Sequence, residues 1–342
     1  MTSLVIPIAN QHSYTQIPRN QDLKLKIDNS CNWPSRTLVI DHAGNCFVCQ
    51  CEAWLPVSVG RITDFDSLKA VWQSPTAQYL QQDINDKKFT HCAVDRCGII
   101  HNNNILNEYT IYINIDPSCN LACPSCRKDS IMIADGELYE RRLTEVKHVV
   151  ALLEKFDQPT RIVMSGNGDP LASAIMRPLI RQFRPSPNQR IRLFTNGLLL
   201  EKQLADSTVL NSIDQFMLSI DAGSEQVYEN VRRPGRFDVL MRNLQWLKPL
   251  GRNVSLNFVL QQANWHDLEN FLQLAEQFGY WPNITRLEDW GTWAEFADQD
   301  VIGNSEHPDH LFAVQELRRV HAKYPTAGWG ASLLSRLDFA RV

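Results

Sequence analysis

The sequence predicts an α/β fold, with six strand–helix units in a parallel sheet, open or curled into a partial barrel, behind a small cysteine-rich α+β domain. Two observations carry this. From Tyr109 onward, short runs rich in β-branched residues alternate with longer amphipathic stretches, the pattern of crossover helices between parallel strands. All nine cysteines lie at or before position 126, and six of them lie in the first 97 residues. Thiols scattered as small core residues would not avoid nearly two thirds of a chain.

The strand-like runs are residues 109–115, 161–164, 191–194, 215–220, 254–260 and 284–287. Between them, residues 139–156, 237–250 and 266–278 read as helices; in the last, Leu268, Phe271, Leu272, Ala275 and Phe278 recur at helical spacing. Pro159, Pro185 and Pro187 mark loops. Upstream, residues 37–41 and 46–48 flank His42-Ala43-Gly44-Asn45 as a hairpin, and helices follow near 66–73 and after Pro75. The expected domains are 1–107, 108–300 and a helical extension over 301–342.

A chain of 342 residues accommodates one large domain and a smaller one. With 44% hydrophobic and 21% charged residues it reads as a soluble globular protein. A net charge of −4 leaves no basic footprint for nucleic acid, and no apolar run approaches the ~18 residues of a membrane span. Residues 4–9 are too short for a signal-peptide core and follow no basic residue, so a cytoplasmic location is expected. There, clustered cysteines suggest metal or redox chemistry before disulfides.

Cys119-Asn120-Leu121-Ala122-Cys123-Pro124-Ser125-Cys126 is a C-x3-C-x2-C loop directly after the first strand of the αβ region. Three thiolates on a tight loop can hold three irons of a cubane and leave the fourth open, as a catalytic metal requires. The alternative is three ligands of a zinc site completed from elsewhere. Catalytic groups of parallel barrels gather at strand C-termini. There the chain has Ser165-Gly166-Asn167-Gly168-Asp169-Pro170, then Thr195-Asn196-Gly197, then Ser219, Asp221 and Gly223. Each could equally be a turn former or strand cap.

At this loop the chain resembles the radical S-adenosylmethionine (SAM) superfamily, whose signature is C-x3-C-x2-C after the first barrel strand. The resemblance implies a partial (β/α)6 TIM-type barrel and a 4Fe–4S cluster on Cys119, Cys123 and Cys126. Its open iron would chelate the amino and carboxylate groups of SAM. One-electron cleavage would then give a 5′-deoxyadenosyl radical that abstracts hydrogen from substrate. Ser165, Gly166, Asn167, Gly168 and Asp169 resemble the family's Gly-Gly-Glu-Pro motif for the SAM amino group, with an inserted Asn and with Asp for Glu. Thr195, Asn196, Ser219 and Asp221 match positions facing the SAM ribose or the substrate. Arg232 and Arg233 resemble the segment whose arginine holds the SAM carboxylate, or are a solvated pair. Asn264 falls on another position near SAM.

Cys31 and Cys49 bracket Gly44 as C-x12-G-x4-C, and Cys92-x4-Cys97 follows, so the two pairs can close a four-cysteine site for zinc or for a second cluster. This segment, with Gly60-Arg61-Ile62, Ser67-Leu68 and Val71-Trp72, resembles the twitch form of the SPASM domain, here placed before the barrel. The resemblance implies a closed auxiliary 4Fe–4S cluster on Cys31, Cys49, Cys92 and Cys97. Cys46 and Cys51 read as buried small residues, or as a replacement ligand or hydrogen-atom donor to a substrate radical. Trp290 reads as packing or as a cavity wall, and His307 and His310 as a solvated loop.

By resemblance the expected activity is a radical SAM oxidoreductase modifying a peptide or protein side chain, served by a flavodoxin- or ferredoxin-type electron donor. The alternatives are a dehydrogenase or epimerase of a small molecule such as a sugar or aminocyclitol, and a non-catalytic metal-binding protein.

Overall fold

The computed structural model of the chain describes residues 31–49, 55–94, 97, 105–289 and 291–338. They fall into two compact units. The first takes the described residues up to Pro117, with Ile133–Gly168 and Ser173–Ile191; the second takes Ser118–Met132, Asp169–Ala172 and the described residues from Arg192 onward.

In the first unit a single turn, α1 (Trp33–Arg36), leads into β1 (Thr37–Ile40). Asp41 shapes the next turn, its Oδ1 accepting from the backbone N–H of Ala43 and Asn45, each at 2.8 Å. Gly44, at φ +80°, completes it in the left-handed region that favours glycine. β2 (Asn45–Phe47) then pairs antiparallel with β1, and β3 (Gly60–Arg61) with β2. Ser67 and Ser74 cap α2 (Leu68–Gln73) and α3 (Pro75–Asn85), accepting from the N–H of Ala70 and Ala77. Trp72 ties α2 to β1 by donating Nε1–H to the Thr37 carbonyl at 2.9 Å.

The expected hairpin is present, and β1 also lies parallel to β4 (Tyr109–Ile113), with Thr37 opposite Thr110 and Ile40 opposite Ile113. All four β1 residues are buried, which suits an interior strand covered on both faces. The N-terminal strands therefore extend the sheet of the first αβ units. α4 (Gly136–Glu154) crosses from β4 to β5 (Thr160–Met164), which pairs parallel with β4. Ile111, Ile113, Ile162 and Val163 are fully buried there. α5 (Arg177–Arg181) leads to β6 (Gln189–Thr195), whose residues 189–191 belong to the first unit and 192–195 to the second.

The second unit continues with α6 (Leu200–Leu204), β7 (Ile213–Ser219), α7 (Glu225–Val231), α8 (Phe237–Leu247) and β8 (Asn253–Leu260). After them come α9 (Leu268–Phe278), β9 (Trp281–Arg286), α10 (His310–Lys323), β10 (Gly328–Trp329) and α11 (Ala331–Asp338). β7, β8, β9 and β10 pair in parallel. The α9 stripe Leu268, Phe271, Leu272, Ala275 and Phe278 is buried as its spacing predicts, with Phe271 4.9 Å from the Phe258 ring of β8. Burying each such side chain contributes about 1.5–3 kcal/mol. No helix among the described residues is long and apolar enough to cross a membrane.

Candidate active site

The cysteine loop is held by its backbone. Cys119 N–H donates to the Ile131 carbonyl at 2.8 Å, Ala122 N–H to that of Arg233 at 2.6 Å, and Asp169 N–H to that of Ser118 at 2.8 Å. Cys126 and Arg127 N–H both donate to the Cys123 carbonyl, at 2.9 and 3.0 Å, winding the second half into a tight turn. Each sulfur then faces nitrogen donors. Leu121 N–H lies 3.4 Å and Asn196 Nδ2 3.9 Å from Cys119 Sγ, Arg232 Nη1 3.7 Å from Cys123 Sγ, and Arg127 Nη2 3.8 Å from Cys126 Sγ. Burial pushes the Cys119 thiol up to about 11 and the Cys123 thiol upward, while Arg232 pulls the latter back. Cys126 is exposed.

The strand ends fall into two sets. In the first unit, Ser165 Oγ donates to Asn114 Oδ1 at 2.9 Å, Asn167 Nδ2 lies 3.3 Å from His42 Nδ1, and Gly166 and Gly168 form the turn between and after them. In the second unit, Asp169 is buried and accepts from Thr195 Oγ1 at 2.9 Å, Asn196 N–H at 2.7 Å and Leu171 N–H at 2.9 Å. Burial pushes its carboxyl up, and these donors hold it back. Asn196 turns its Nδ2 to Asn120 Oδ1 at 2.9 Å. Ser219 is half-buried at the end of β7.

Asp221 adopts φ +56°, unusual for a residue with a Cβ. That backbone lets one carboxylate oxygen accept from Val259 N–H at 2.8 Å and the other pair with Arg232 Nη2 at 2.7 Å. Asn264 spends its amide on backbone, donating to the Asp221 and Val259 carbonyls and accepting from Gln261 N–H. It is fully buried and braces the loop. The two adjacent arginines diverge, since Arg232 points to Cys123 and Asp221, whereas Arg233 is exposed and bonds Asn230.

Sequence reasoning passed over Tyr228, Asn120 and Gln261. Tyr228 Oη, Arg232 Nε and Gln261 Nε2 are buried without a hydrogen-bond partner among the described residues. The available signal was the i, i+4 spacing of Tyr228 and Arg232. Three soft thiols facing N–H donors, with an orphaned Nε on the arginine that reaches Cys123, fit an anionic, sulfur-rich group such as an iron–sulfur cluster.

In the first unit, burial pushes the Cys92 thiol upward, and the electrostatic influence of Cys49, Cys31 and Cys97 adds to it. Burial pushes Cys31 up to about 11, with Cys97 among its neighbours. Cys92 is thus within electrostatic range of the other three. Cys46 is fully buried in β2, where Asp41, Asp64 and Arg61 are its charged neighbours. Cys51 and Trp290 lie outside the described residues. His307 Nε2 and His310 Nδ1 contact the carbonyls of Asp298 and Val301 at 2.9 and 2.8 Å. Among the described residues no three His, Cys, Asp or Glu side chains are spaced to hold a single metal ion. Cluster ligands stand further apart, each on its own iron.

Residues 113–275 match the profile of the Radical SAM superfamily. The chain carries a radical SAM domain. Residues 31–98 match SPASM, an iron–sulfur cluster-binding domain, so the auxiliary domain does precede the radical SAM domain. Together these domains imply 4Fe–4S clusters and SAM as cofactors. Mycofactocin maturase MftC of Mycobacterium tuberculosis is 27% identical over 192 residues, 54% of this chain and 48% of that protein. The AdoMet-dependent heme synthase of Nitratidesulfovibrio vulgaris is 27% identical over 208 residues, 59% and 54% of the two chains. The chain spans about half the length of the curated relatives it matches. Among solved structures, Streptococcus suis SuiB bound to precursor peptide SuiA aligns at a TM-score of 0.41 and 12% identity, covering 77% of this chain and 64% of that one.

Proposed function

We propose that the chain is a radical SAM oxidoreductase that modifies a peptide or protein side chain. The observation that carries this is the loop on which Cys119, Cys123 and Cys126 each face nitrogen donors. In this reading these three cysteines ligate the SAM-binding 4Fe–4S cluster, and Cys31, Cys49, Cys92 and Cys97 ligate the auxiliary one. When bound, the cluster and SAM supply one-electron cleavage of the sulfonium and a carbon radical that removes hydrogen from substrate.

The chain's own residues bind and orient. Arg232, anchored by Asp221, offers its cationic edge to the SAM carboxylate; Arg233 takes no part. Ser165, Gly166, Asn167 and Gly168 form the turn that receives the SAM amino group. Asn196 and Ser219 stand at strand ends suited to ribose hydroxyls, while Thr195, Asp169 and Asn264 keep those ends in place. The kinship with a maturase supports a peptide substrate, and a second, closed cluster supports net oxidation, because it can take the second electron. Epimerisation would need no such acceptor. A flavodoxin- or ferredoxin-type donor in the cytosol supplies the first electron.

The kinship with a heme synthase favours a second reading, a small-molecule substrate. Anaerobic reconstitution tests the enzymatic claim. It should give about eight irons per chain and SAM-dependent 5′-deoxyadenosine. Fully loaded protein that neither binds nor cleaves SAM defeats it, and protein holding zinc alone returns the chain to the non-catalytic class. Turnover of peptide against small-molecule candidates separates the two substrates.

A further inference from the structure

α7 sets Tyr228 one helical turn before Arg232, and Arg232 N–H closes that turn on the Tyr228 carbonyl at 2.8 Å. Side chains at this spacing leave a helix on the same side. Tyr228 is fully buried, its ring 5.6 Å from that of Phe237. Its hydroxyl has no hydrogen-bond partner among the described residues. Buried tyrosines nearly always pair that group, so an orphan calls for a reason.

Burial pushes the phenol's pKa upward, and the charged groups within electrostatic range of it are Arg232, Cys123, Asp221 and Asp169. Arg232 is a donor and cannot accept. Asp221 already accepts from Val259 and Arg232, and Asp169 from Thr195, Asn196 and Leu171. The Cys123 sulfur carries one side-chain donor, Arg232 Nη1 at 3.7 Å, from the residue one helical turn beyond Tyr228; the phenol itself makes no hydrogen bond to it among the described residues. Gly235 keeps room for the phenol, since a Cβ there would stand 3.0 Å from Tyr228 Cε1 and 3.2 Å from its oxygen.

We propose that Tyr228 Oη donates a hydrogen bond to the sulfur at the Cys123 corner of the bound cluster and thereby raises its reduction potential. Reduction adds negative charge to the sulfurs, so a fixed O–H donor stabilises the reduced form more than the oxidised one. Tyr228 is a positioning residue in this account. It donates no proton and forms no bond to SAM. The proposal rests on the reading of Cys123 as a ligand.

The test is an EPR-monitored redox titration, with dithionite as reductant, of the cluster whose signal SAM perturbs. Tyr228→Phe keeps the ring and removes the O–H. Iron and sulfide content should stay full, and the one-electron reduction equilibrium should fall about tenfold, a midpoint about 59 mV more negative, with or without SAM. Tyr228→3-fluorotyrosine keeps a more acidic donor and should move the midpoint the other way, which decides the matter even if Tyr228→Phe loads poorly. Unchanged potentials in loaded variants overturn the proposal, as does a shift seen only with SAM bound. Wild-type protein that loads no cluster on the loop would instead remove the ligand reading beneath it.

Discussion

Arg232 reaches two partners from one guanidinium, with Nη2 2.7 Å from the Asp221 carboxylate and Nη1 3.7 Å from Cys123 Sγ. The side chains are 11% and 2% exposed, so the pair is desolvated and neither charge has water as a substitute partner. Asp221 is held in place by its left-handed backbone and by Val259 N–H. The ion pair thus points its positive end at a thiol of the loop.

Removing Arg232 leaves the Asp221 carboxylate buried and uncompensated. Arg232→Ala should lower stability by about 3–5 kcal/mol, the usual penalty for breaking a buried pair from one side. Arg233→Ala, one residue on and exposed, should stay within about 0.5 kcal/mol. Anaerobic urea titration of the two variants gives the comparison. Equal losses would mean that the two arginines are not separated as described.

The two cysteine sets should respond independently. Cys126→Ala should abolish 5′-deoxyadenosine formation while keeping about half the iron, because the four N-terminal thiols remain. Cys92→Ala should lose the other half and still cleave SAM. Iron and sulfide assays beside chromatography of the nucleoside read both. Cleavage surviving in Cys126→Ala would show that the loop has been misassigned.

Gly44 sits at φ +80°, and a Cβ there would come within 2.9 Å of Glu145 Oε1. That carboxylate is 3% exposed and paired with Arg61 at 2.5 Å, so it cannot yield without losing its partner. Gly44→Ala should cost about 1–2 kcal/mol for the left-handed backbone alone, and more for the displaced ion pair. Because the turn joins the strands between Cys31 and Cys49, auxiliary iron loading should fall with it. Full loading at wild-type stability would contradict the turn geometry.

Much of this was legible in the sequence because it is local. The β-branched runs became strands, the α9 stripe became its buried face, and the helices expected near 66–73 and after Pro75 formed there, each decided by neighbours a few residues away. Parallel pairing of β1 with β4 was not legible, since Thr37–Ile40 reads alike as a hairpin arm or an interior strand until its partner is known. β10, two residues long, carries no period at all. At the site, the spacing of Cys119, Cys123 and Cys126 marked the loop, but adjacent Arg232 and Arg233 differ only by where α7 ends. Asn264 was legible as a position near SAM, but its bonds to the Asp221 and Val259 carbonyls were not, because they join segments that are far apart in sequence.

The contact between α9 and α10 offers a test with a sign. Glu269 on α9 bonds both Lys323 and Arg319 on α10. The hydrogen bond from Lys323, then that from Arg319, holds its carboxyl below the usual glutamate range. A carboxyl lowered in the folded state adds stability above its unfolded value, near 4.5, and loses it as pH falls through the folded one. Protection factors of α10 amides should therefore drop on going from about pH 6 to below about pH 4, and drop further in high salt, which screens exposed pairs. Glu269→Gln should already show the lower protection at about pH 6 and respond little to acid. The buried α10 stripe of Ala313, Val314, Leu317 and Val320 should keep the helix docked throughout, so the change is local opening. Equal acid sensitivity in Glu269→Gln would assign the effect to another carboxyl.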